Sequence, residues 1–375
     1  MNPKPKVLFV GNSAWSMYNF RIDTFLYLSN YFEIIVLAPI DEYSKKITEN
    51  NIQFVELHTI KNKSTNPFND IQLYFELKKI YTKLSPALII HYTIKPNIYG
   101  TLAANSVKIP CIAITTGLGY AFTHQNIISK IIIQLYQFSL KKAKEVWFLN
   151  TDDFNTFVDK KIIDYNKAFL LYGEGINVAK YLPLENEKNT KKTIFLLSAR
   201  MLFDKGVKDF IDAATILQNK GFSIEAQLLG FLDAENPKGI DKKTMDEWTN
   251  VSYIKYLGST TNVMPFIAAA DCVVLPSFYR EGIPRILMEA ASMSKPIITT
   301  NNVGCREVVD DTINGFLCEM KNPIDLANKM EKFILLSDAE KINMGLAGRQ
   351  KMIQLFDINI VNSTYLKKIN QWLEN

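Results

Sequence analysis

The stretch at residues 275–291 (LPSFYREGIPRILMEAA) most constrains how this chain can fold. The residues before it, 270–275, are apolar and β-branched, which is typical of a short, buried parallel strand. Residues 286–291 are apolar nearly all round and predict a buried helix. Between them, Gly282 allows another group to approach the backbone, and Pro284 fits a first helical position, where its missing N–H costs nothing. A strand, a tight turn and a helix in this order predict an α/β unit.

The same turn predicts an anion site. The N–H groups of Arg285, Ile286 and Leu287 would be free at the helix start, at the carboxyl edge of a strand, where open α/β sheets bind ligands. Glu281 lies in the turn and Glu289 in the second helical turn, where a carboxylate among apolar residues needs hydrogen-bond donors. Sugar hydroxyls would be suitable donors. A structural helix with one salt-bridged glutamate is the alternative explanation.

The segment REGIPRILMEA resembles the Glu-x7-Glu element of the family 4 retaining glycosyltransferases, which have the GT-B fold, an α/β architecture of two Rossmann-like domains facing across a cleft. In that family the first glutamate contacts the donor sugar, the second binds the ribose of the nucleotide, and the turn between them holds the diphosphate. The resemblance implies a catalytic role for Glu281 and donor-binding roles for Gly282, Ile283, Pro284, Arg285, Ile286 and Glu289.

The length of 375 residues exceeds what one hydrophobic core usually supports, so two domains are expected. A polar run at 184–192 (LENEKNTKK) interrupts the apolar pattern and is the best linker candidate. With the resemblance, this predicts an N-terminal acceptor-binding Rossmann-like domain at 1–183 and a C-terminal nucleotide-sugar-binding Rossmann-like domain at 184–356. A final helix at 357–375 is expected to cross back to the N-terminal domain.

The N-terminal part opens with a β-α-β pattern. No G-x-G-x-x-G follows the first strand, so the dinucleotide fingerprint is absent. In the family a glycine in this loop lies near the donor phosphates and the acceptor, which implies a donor-binding role for Gly11 and an acceptor-binding role for Asn12. Arg21, in a helix predicted at 19–30, is explained equally well by a surface ion pair and by an acceptor phosphate. Further apolar runs predict strands at 6–10, 33–38, 53–57, 87–91, 110–116 and 145–149.

Two further segments resemble the branch of the family that extends polyprenyl-diphosphate-linked sugars. In HYTIKPNIYG, Pro96 fits a first helical position, which places Lys95 beside free N–H groups in an arrangement suited to an anion. His91, at the end of the preceding strand, is predicted to be packed and hydrogen-bonded. In TTGLGY, Thr116 stands where many family members carry a histidine, so this domain offers no obvious general base. Lys95, Thr116 and Gly117 are therefore acceptor candidates.

The C-terminal part carries two further candidate cations. Arg200 and Lys205 flank a loop after a strand predicted at 193–198, and they match the family's Arg-x4-Lys-Gly element. A planar fork beside a mobile point charge suits a diphosphate, although two solvated cations are the alternative. The resemblance adds two donor-binding glycines: Gly175 in a Gly-x-Gly-Ile-Asn element, and Gly258 in the loop that reads the nucleotide base.

No D-x-D motif occurs, so no carboxylate-bound metal or other cofactor is expected. Charge on the leaving diphosphate must then be met by Arg200, Lys205 and helix-start N–H groups, which gives both cations catalytic roles. The resemblance implies a metal-independent hexosyltransferase that retains the anomeric configuration. The expected donor is a UDP-sugar, with an N-acetylhexosamine as the sugar. The expected acceptor is a polyprenyl-diphosphate-linked saccharide of bacterial glycoprotein, O-antigen or capsule assembly.

Two other functions fit the same fold. A nucleotide-sugar epimerase would need acid and base groups around the sugar, and the chain has only three histidines. A non-catalytic subunit that binds sugar nucleotides or a lipid carrier would be expected to lack Glu281, Arg200 or Lys205, and all three are present.

Composition and charge limit which partners and which cellular compartment can be expected. A net charge of +5 is too weak to indicate nucleic acid, and the four cysteines form no C-x-x-C pair, as expected in a reducing cytoplasm. No apolar run approaches the roughly 20 residues that span a bilayer, and the apolar run near the N-terminus is too short for a signal peptide, so we expect a first strand there. A strongly apolar helix at 127–144 ends in Lys141, Lys142 and Lys144. These lysines either complete the helix or touch anionic lipid. We therefore expect a cytoplasmic protein, peripheral on the inner membrane.

Overall fold

The computed structural model describes residues 3–60, 67–118, 122, 127–184, 192–280 and 282–374. The chain divides into two compact units: Met1–Gly175 with Ile358–Asn375 forms unit 1, and Ile176–Asp357 forms unit 2. The division lies earlier than the 183/184 boundary expected from the polar run. Most of that run, 185–191, lies outside the described residues.

Unit 1 is built on a parallel sheet with seven described strands. They are β1 (Lys6–Val10), β2 (Glu33–Ala38), β3 (Gln53–Glu56), β4 (Leu88–Tyr92), β5 (Cys111–Thr115), β6 (Glu145–Phe148) and β7 (Ala168–Leu170). Their order is β3-β2-β1-β4-β5-β6-β7. In the middle of the sheet, Phe9 pairs with Val36 on one side and with Ile90 on the other. Helices cover both faces of such a sheet, which is why its strands are continuous apolar runs.

Helices connect these strands on the two faces. They are α1 (Ala14–Leu28), α2 (Glu42–Glu49), α3 (Pro67–Leu84), α4 (Thr101–Ser106, after a π-helical turn at Pro96–Gly100), α5 (Ile127–Leu140) and α6 (Thr151–Asp159). One hydrophobic cluster joins α1 and α2 to the sheet, and a second joins α3, α4 and α5 to the opposite face.

Two helix boundaries differ from the sequence-based expectation. Helix α1 begins at Ala14 and not near Asn19, because the Ser13 side chain accepts a hydrogen bond from the Ser16 N–H and caps the helix. Helix α5 ends at Leu140, so the lysines at 141, 142 and 144 follow the helix and do not belong to it. None of the described helices is long and apolar enough to cross a membrane.

Unit 2 is built on a parallel sheet with six described strands. They are β8 (Thr193–Ser198), β9 (Ile224–Leu229), β10 (Ile254–Tyr256), β11 (Cys272–Leu275), β12 (Ile297–Thr300) and β13 (Gly315–Cys318), in the order β10-β9-β8-β11-β12-β13. The helices are α7 (Val207–Asn219), α8 (Lys242–Trp248), α9 (Met264–Ala269), α10 (Arg285–Ser292), α11 (Pro323–Ile334) and α12 (Asp338–Lys351). A π-helical turn, Met352–Phe356, follows α12.

The last helix, α13 (Ile358–Leu373), belongs to unit 1. Val361, Tyr365 and Ile369 recur every four residues, so they share one face, and that face is buried against α1 and the sheet. The Tyr365 and Tyr92 hydroxyls lie 2.8 Å apart, and Lys368 forms an ion pair of 2.7 Å with Glu145. These contacts hold the final helix on unit 1.

Both sheets confirm the predicted α/β class, and the six described strands of unit 2 follow the same order as the first six of unit 1. In each, the chain moves outward from the first strand in one direction and then restarts on its other side, so that β1 neighbours β2 and β4, and β8 neighbours β9 and β11. The loops after such strands separate above and below the sheet and leave a crevice at its carboxyl edge. These two switch points are where ligand-binding residues are expected.

His91 in β4 is fully buried, as predicted, and its Nε2 lies 2.9 Å from the Tyr81 hydroxyl. Burial lowers the pKa of His91 to about 3. The imidazole is therefore neutral in the folded protein over the ordinary pH range, whereas an unfolded chain takes up a proton near pH 6.5.

We predict that His91 makes unit 1 sensitive to acid. Between about pH 6.5 and 3 only the unfolded chain binds the proton, so stability falls by about 1.4 kcal/mol for each pH unit. Chemical denaturation at pH 7.5 and 4.5 should show a smaller loss in a His91→Gln variant than in the parent. His58→Gln, which changes an exposed histidine, is the matched control. Equal losses in all three proteins would contradict the assignment.

Candidate active site

The loops after β8 and β11 are tied together at the switch point of unit 2. The backbone carbonyl of Asp204 accepts hydrogen bonds from the N–H groups of Phe278 and Tyr279, both at 3.0 Å. The Ser277 hydroxyl donates to the same carbonyl at 3.3 Å. One main-chain oxygen therefore holds the loop that carries Lys205 against the loop that leads into α10.

Gly206 shows why the first loop needs glycine. Its φ is 75°, and a Cβ there would lie 2.1 Å from the Pro276 carbonyl oxygen. No side chain fits that space, and L residues with a Cβ disfavour this backbone conformation. Gly206 thus lets the loop after β8 pack against the loop after β11, and the preceding residue, Lys205, places its cation next to that contact.

The two cations expected at the donor diphosphate lie in the β8 loop of unit 2. Arg200 is half-exposed and lies 3.7 Å from an Asp233 carboxylate oxygen, in the loop after β9. Lys205 is half-buried, with its Nζ 5.2 Å from the centre of the Tyr279 ring. Both side chains are at the carboxyl edge of the sheet, where an anion could reach them.

The start of α10 differs in detail from the expectation. Pro284 is the N-cap, with extended backbone, and the helix begins at Arg285. The N–H of Leu287 donates to the Pro284 carbonyl at 3.1 Å. The expectation of three free N–H groups was therefore wrong for Leu287, and the anion site at this helix start has at most the N–H groups of Arg285 and Ile286.

Glu289 is buried and paired within its own helix. Its Oε1 accepts a hydrogen bond of 2.9 Å from the Arg285 Nε, one turn earlier. Tyr181 lies beside this pair, and burial, with the nearby Glu289 carboxylate, raises the pKa of Tyr181 to about 12. The carboxylate is thus held by a guanidinium, and a neutral phenol stands next to it.

Strand β12 supplies supports that the sequence did not reveal. The Thr299 hydroxyl donates to the Leu275 carbonyl at 2.7 Å, and the Thr300 hydroxyl donates to the Ser277 carbonyl. The Asn302 amide donates to the Tyr279 carbonyl at 2.9 Å. Polar residues at the end of a buried strand were the available signal, since buried hydroxyls and amides need partners. These bonds fix the loop that precedes α10.

Three more predicted donor positions have distinct settings. Gly258 has a φ of 75°, and its carbonyl accepts a 2.7 Å hydrogen bond from the Gly230 N–H, which joins the loops after β9 and β10. Gly175 has a φ of 80°, and a Cβ there would press on Ile358 and Val361 of α13. Glu281 lies outside the described residues, so its expected catalytic role stays a prediction.

The acceptor candidates of unit 1 follow three adjacent strands. Gly11 and Asn12 come after β1, Lys95 after β4, and Thr116 and Gly117 after β5. Since neighbouring strands lie about 4.8 Å apart, these positions share a short stretch of the sheet's carboxyl edge. The structure therefore brings four predicted acceptor residues and Gly11 together at the switch point of unit 1.

Lys95 is held by a carboxylate that the sequence did not single out. Its Nζ lies 2.9 Å from Asp70 Oδ1, and the Tyr99 hydroxyl donates to Asp70 Oδ2 at 2.8 Å. Thr93, two residues earlier, has a φ of 70°, which is unusual for a β-branched residue and marks strain at this bend. Asp70 lies in the first turn of α3, so the ion pair joins α3 to the carboxyl end of β4.

Arg21 is neither a surface residue nor an open cation. It is buried, forms an ion pair with Glu174, and donates to the Ser16 carbonyl at 3.0 Å. Its guanidinium carbon lies 3.8 Å from the centre of the Tyr92 ring. Of the two explanations open from the sequence, the ion pair exists, but it is buried and not on the surface. The acceptor-phosphate explanation is not supported by these contacts, because the guanidinium is already engaged by Glu174, Ser16 and Tyr92.

Comparison with known proteins identifies the family. The model for glycosyl transferases group 1 matches residues 182–351, and that for glycosyl transferase 4-like proteins matches residues 6–150. A Campylobacter jejuni N,N'-diacetylbacillosaminyl-diphospho-undecaprenol alpha-1,3-N-acetylgalactosaminyltransferase is 31% identical, over 99% of this chain and 100% of that protein. This chain is a family 4 glycosyltransferase. The resemblance stated from its motifs is confirmed.

Other relatives of this glycosyltransferase are more distant. An Escherichia coli UDP-Gal:alpha-D-GlcNAc-diphosphoundecaprenol alpha-1,3-galactosyltransferase is 22% identical over 77% of the chain and 76% of its own length. The structure of a glycosyltransferase from Rickettsia africae aligns with a TM-score of 0.82 at 19% identity, covering 100% of both chains. Anabaena HepE in complex with UDP aligns with a TM-score of 0.79 at 16% identity, covering 98% of this chain and 100% of that one. The predicted GT-B fold is confirmed.

The buried Arg21–Glu174 pair of the glycosyltransferase predicts a large stability effect. Glu174→Gln leaves the guanidinium charge unbalanced in the interior, which should cost about 3 kcal/mol or more. Thermal unfolding should show a clear loss relative to Glu49→Gln, which breaks an exposed pair with Lys45 and should cost under about 1 kcal/mol. The double variant Arg21→Met/Glu174→Gln should recover part of the loss. Equal melting temperatures for the two single variants would contradict this reading.

Proposed function

We propose that this enzyme transfers an N-acetylhexosamine from a UDP-sugar to a polyprenyl-diphosphate-linked saccharide, with retention at the anomeric carbon. The observation that carries the proposal is the end-to-end similarity to the C. jejuni enzyme, whose name states an undecaprenol-diphosphate-linked acceptor and transfer of N-acetylgalactosamine. The E. coli relative, whose name also states a diphosphoundecaprenol acceptor, supports the same acceptor class.

Donor binding is assigned to the carboxyl edge of unit 2. Arg200, Lys205 and the start of α10 are the groups that would balance the diphosphate, and no metal is needed in this scheme. Glu289 would accept hydrogen bonds from the ribose hydroxyls, and Arg285 already holds its carboxylate in place. Glu281, from the resemblance, would contact the donor sugar.

The reaction exchanges one bond at the anomeric carbon for another. The bond from that carbon to the β-phosphate oxygen breaks, and a bond to the acceptor oxygen forms on the same face. The acceptor's hydroxyl proton passes to the departing phosphate oxygen. Negative charge grows on the diphosphate as the bond breaks, so fixed cations near it favour the transition state over the ground state.

Acceptor binding is assigned to the carboxyl edge of unit 1, with Lys95 as the cation for the acceptor's own diphosphate. Lys95 lies near the start of a helix, and the adjacent residues Asn12, Thr116 and Gly117 would face the saccharide. We place the enzyme at the cytoplasmic face of the inner membrane, because a polyprenyl acceptor is anchored there.

A donor and acceptor panel tests the proposal. Purified enzyme is incubated with UDP-sugars, beginning with UDP-N-acetylgalactosamine, and with a polyprenyl-diphosphate-linked saccharide, and the products are separated and sequenced. Transfer with an α-linkage supports the proposal. An epimerised donor would identify an epimerase, and donor binding without turnover on any acceptor would identify a binding subunit.

Lys205→Ala should reduce turnover by roughly a hundredfold, because one fixed charge on the leaving group is lost in the transition state. Lys208→Ala is the matched control, since Lys208 is a partly exposed lysine of the next helix that pairs with Asp212. Both variants should unfold close to the parent's temperature, because a loop cation and a partly exposed ion pair within a helix each carry little stability. Parent-like turnover in Lys205→Ala would overturn the assignment.

Lys95→Ala should raise the acceptor's KM and leave the affinity for UDP unchanged, because the lysine is assigned to the acceptor's diphosphate alone. Steady-state kinetics with varied acceptor and calorimetry with UDP measure the two effects separately. Lys45→Ala changes an exposed lysine of unit 1 and should alter neither. If UDP affinity falls instead, Lys95 does not serve the acceptor.

A further inference from the structure

Helix α3 has two faces of different chemistry. Leu73, Leu77 and Tyr81 are buried against the sheet. On the outer face, Ile71 and Phe75 are 54% and 61% exposed, one helical turn apart. Phe68, in the turn before, is exposed as well. The N-terminal half of the outer face is therefore apolar, which is uncommon for the solvent side of a helix.

The C-terminal half of the same face is basic. Lys79 and Lys83 are exposed and continue the line of Ile71 and Phe75 at helical spacing, and Lys78 flanks them. An exposed apolar patch that continues into a row of lysines suits a membrane surface, because the apolar side chains can enter the headgroup boundary while the lysines attract anionic headgroups.

Both acidic residues of α3 are engaged with the protein. Asp70 binds Lys95 and Tyr99. Glu76 accepts hydrogen bonds from the N–H groups of His58 and Thr59, both at 2.9 Å. The carboxylates are thus turned to neighbouring groups of unit 1, and the charge that α3 presents outward is positive. Anionic lipid headgroups are complementary to that charge.

The apolar end of α3 lies beside the acceptor candidates. The helix follows β3 and precedes β4 in a parallel sheet, so it starts at the carboxyl edge and runs back to the amino edge. Its first turn carries Asp70, which holds Lys95 at that edge. Ile71 and Phe75 therefore lie in the half of α3 that is nearer to the edge of the sheet where Lys95 is held.

We infer that α3 docks unit 1 on an anionic bilayer, with Ile71 and Phe75 entering the headgroup boundary and Lys79 and Lys83 contacting lipid phosphates. The inference rests on the proposed function, because an acceptor anchored in the bilayer has to reach Lys95 with its diphosphate. Docking through α3 brings that edge of the sheet to the lipid surface.

The lysines that follow α5 are placed differently. Lys141, Lys142 and Lys144 immediately precede β6, so they lie at the amino edge of the sheet, opposite the acceptor candidates. Lys144 lies with its Nζ 5.2 Å from the centre of the Trp372 ring in α13. A surface formed by these lysines would leave the acceptor edge away from the bilayer, so α3 replaces them as our assigned membrane contact.

Vesicle sedimentation of the full chain tests the inference. Vesicles of phosphatidylglycerol and phosphatidylethanolamine are compared with vesicles of phosphatidylcholine, at low and high salt. The variant Ile71→Ser/Phe75→Ser should bind anionic vesicles at least about tenfold more weakly, from the lost apolar burial. Lys79→Gln/Lys83→Gln should weaken binding mainly at low salt, where screening is weak.

The chain offers two matched controls. Ile342 and Leu346 of α12 are 61% and 53% exposed and lie one turn apart, so Ile342→Ser/Leu346→Ser removes a similar apolar pair from another surface. This variant should bind vesicles as the parent does. The triple variant Lys141→Gln/Lys142→Gln/Lys144→Gln should also retain most binding. A loss in either control equal to that of the α3 variants would overturn the inference.

Activity separates the inference from the proposed function. The Ile71→Ser/Phe75→Ser variant should keep parent-like activity on a short-chain, soluble diphosphate acceptor and lose activity on a polyprenyl acceptor in vesicles. If the parent transfers to neither acceptor, the proposed function fails, whatever the vesicle result. If the variant binds vesicles normally but has a raised KM for a long-chain acceptor in detergent, the patch contacts the acceptor's lipid and not the bilayer. That result would overturn membrane docking through α3.

Discussion

Parallel strand pairing is the constraint on which the rest of this structure depends. Because all strands of a sheet point the same way, every loop that follows a strand emerges at one edge, and residues far apart in sequence meet there. In unit 2 this brings Arg200, Lys205 and the start of α10 together, and in unit 1 it does the same for Asn12, Lys95 and Thr116. The helices and apolar clusters on both faces hold these edges in place but contribute few of the candidate side chains.

The fold could be predicted because its signal is local. Short apolar runs bounded by polar turns predicted β1 to β6, β8 and β11, and the bounds of β1, β2 and β8 agree with the structure at every residue. The strands β7, β10 and β13, of three or four residues each, were not predicted. Helix starts were less accurate because they depend on single side-chain contacts. Because Ser13 caps α1, the helix begins at Ala14, five residues before the predicted start at Asn19. Pro284 serves as an N-cap and not as the first helical residue. Such contacts leave no periodic pattern in the sequence.

The partners of the candidate site residues could not be predicted, because they come from distant parts of the chain. Glu174 lies 153 residues from Arg21, and Asp70 lies 25 residues from Lys95. The carbonyl of Asp204 and the side chains of Thr300 and Asn302 form hydrogen bonds that join two loops. These bonds could not be predicted either, because the sequence does not show which loops lie side by side. Sequence motifs located the cations and carboxylates, whereas the structure shows what each of them is bound to.

The three cations Arg200, Lys95 and Arg21 each pair with a carboxylate, and they differ in how readily that carboxylate could be exchanged for a substrate phosphate. Arg200 and Asp233 are separated by 3.7 Å with Arg200 46% exposed, so their attraction is screened and breaking it costs little. Lys95 and Asp70 are 2.9 Å apart and under 20% exposed, so separating them leaves a half-buried carboxylate whose other partner among the described residues is the Tyr99 hydroxyl. A diphosphate at Lys95 would therefore have to bind beside Asp70, since an ammonium group with three donors can serve more than one acceptor. Arg21 lies at the far end of this scale: it is buried, stacked on Tyr92 and paired with Glu174, so its charge serves the interior of unit 1 and is least able to meet an incoming phosphate.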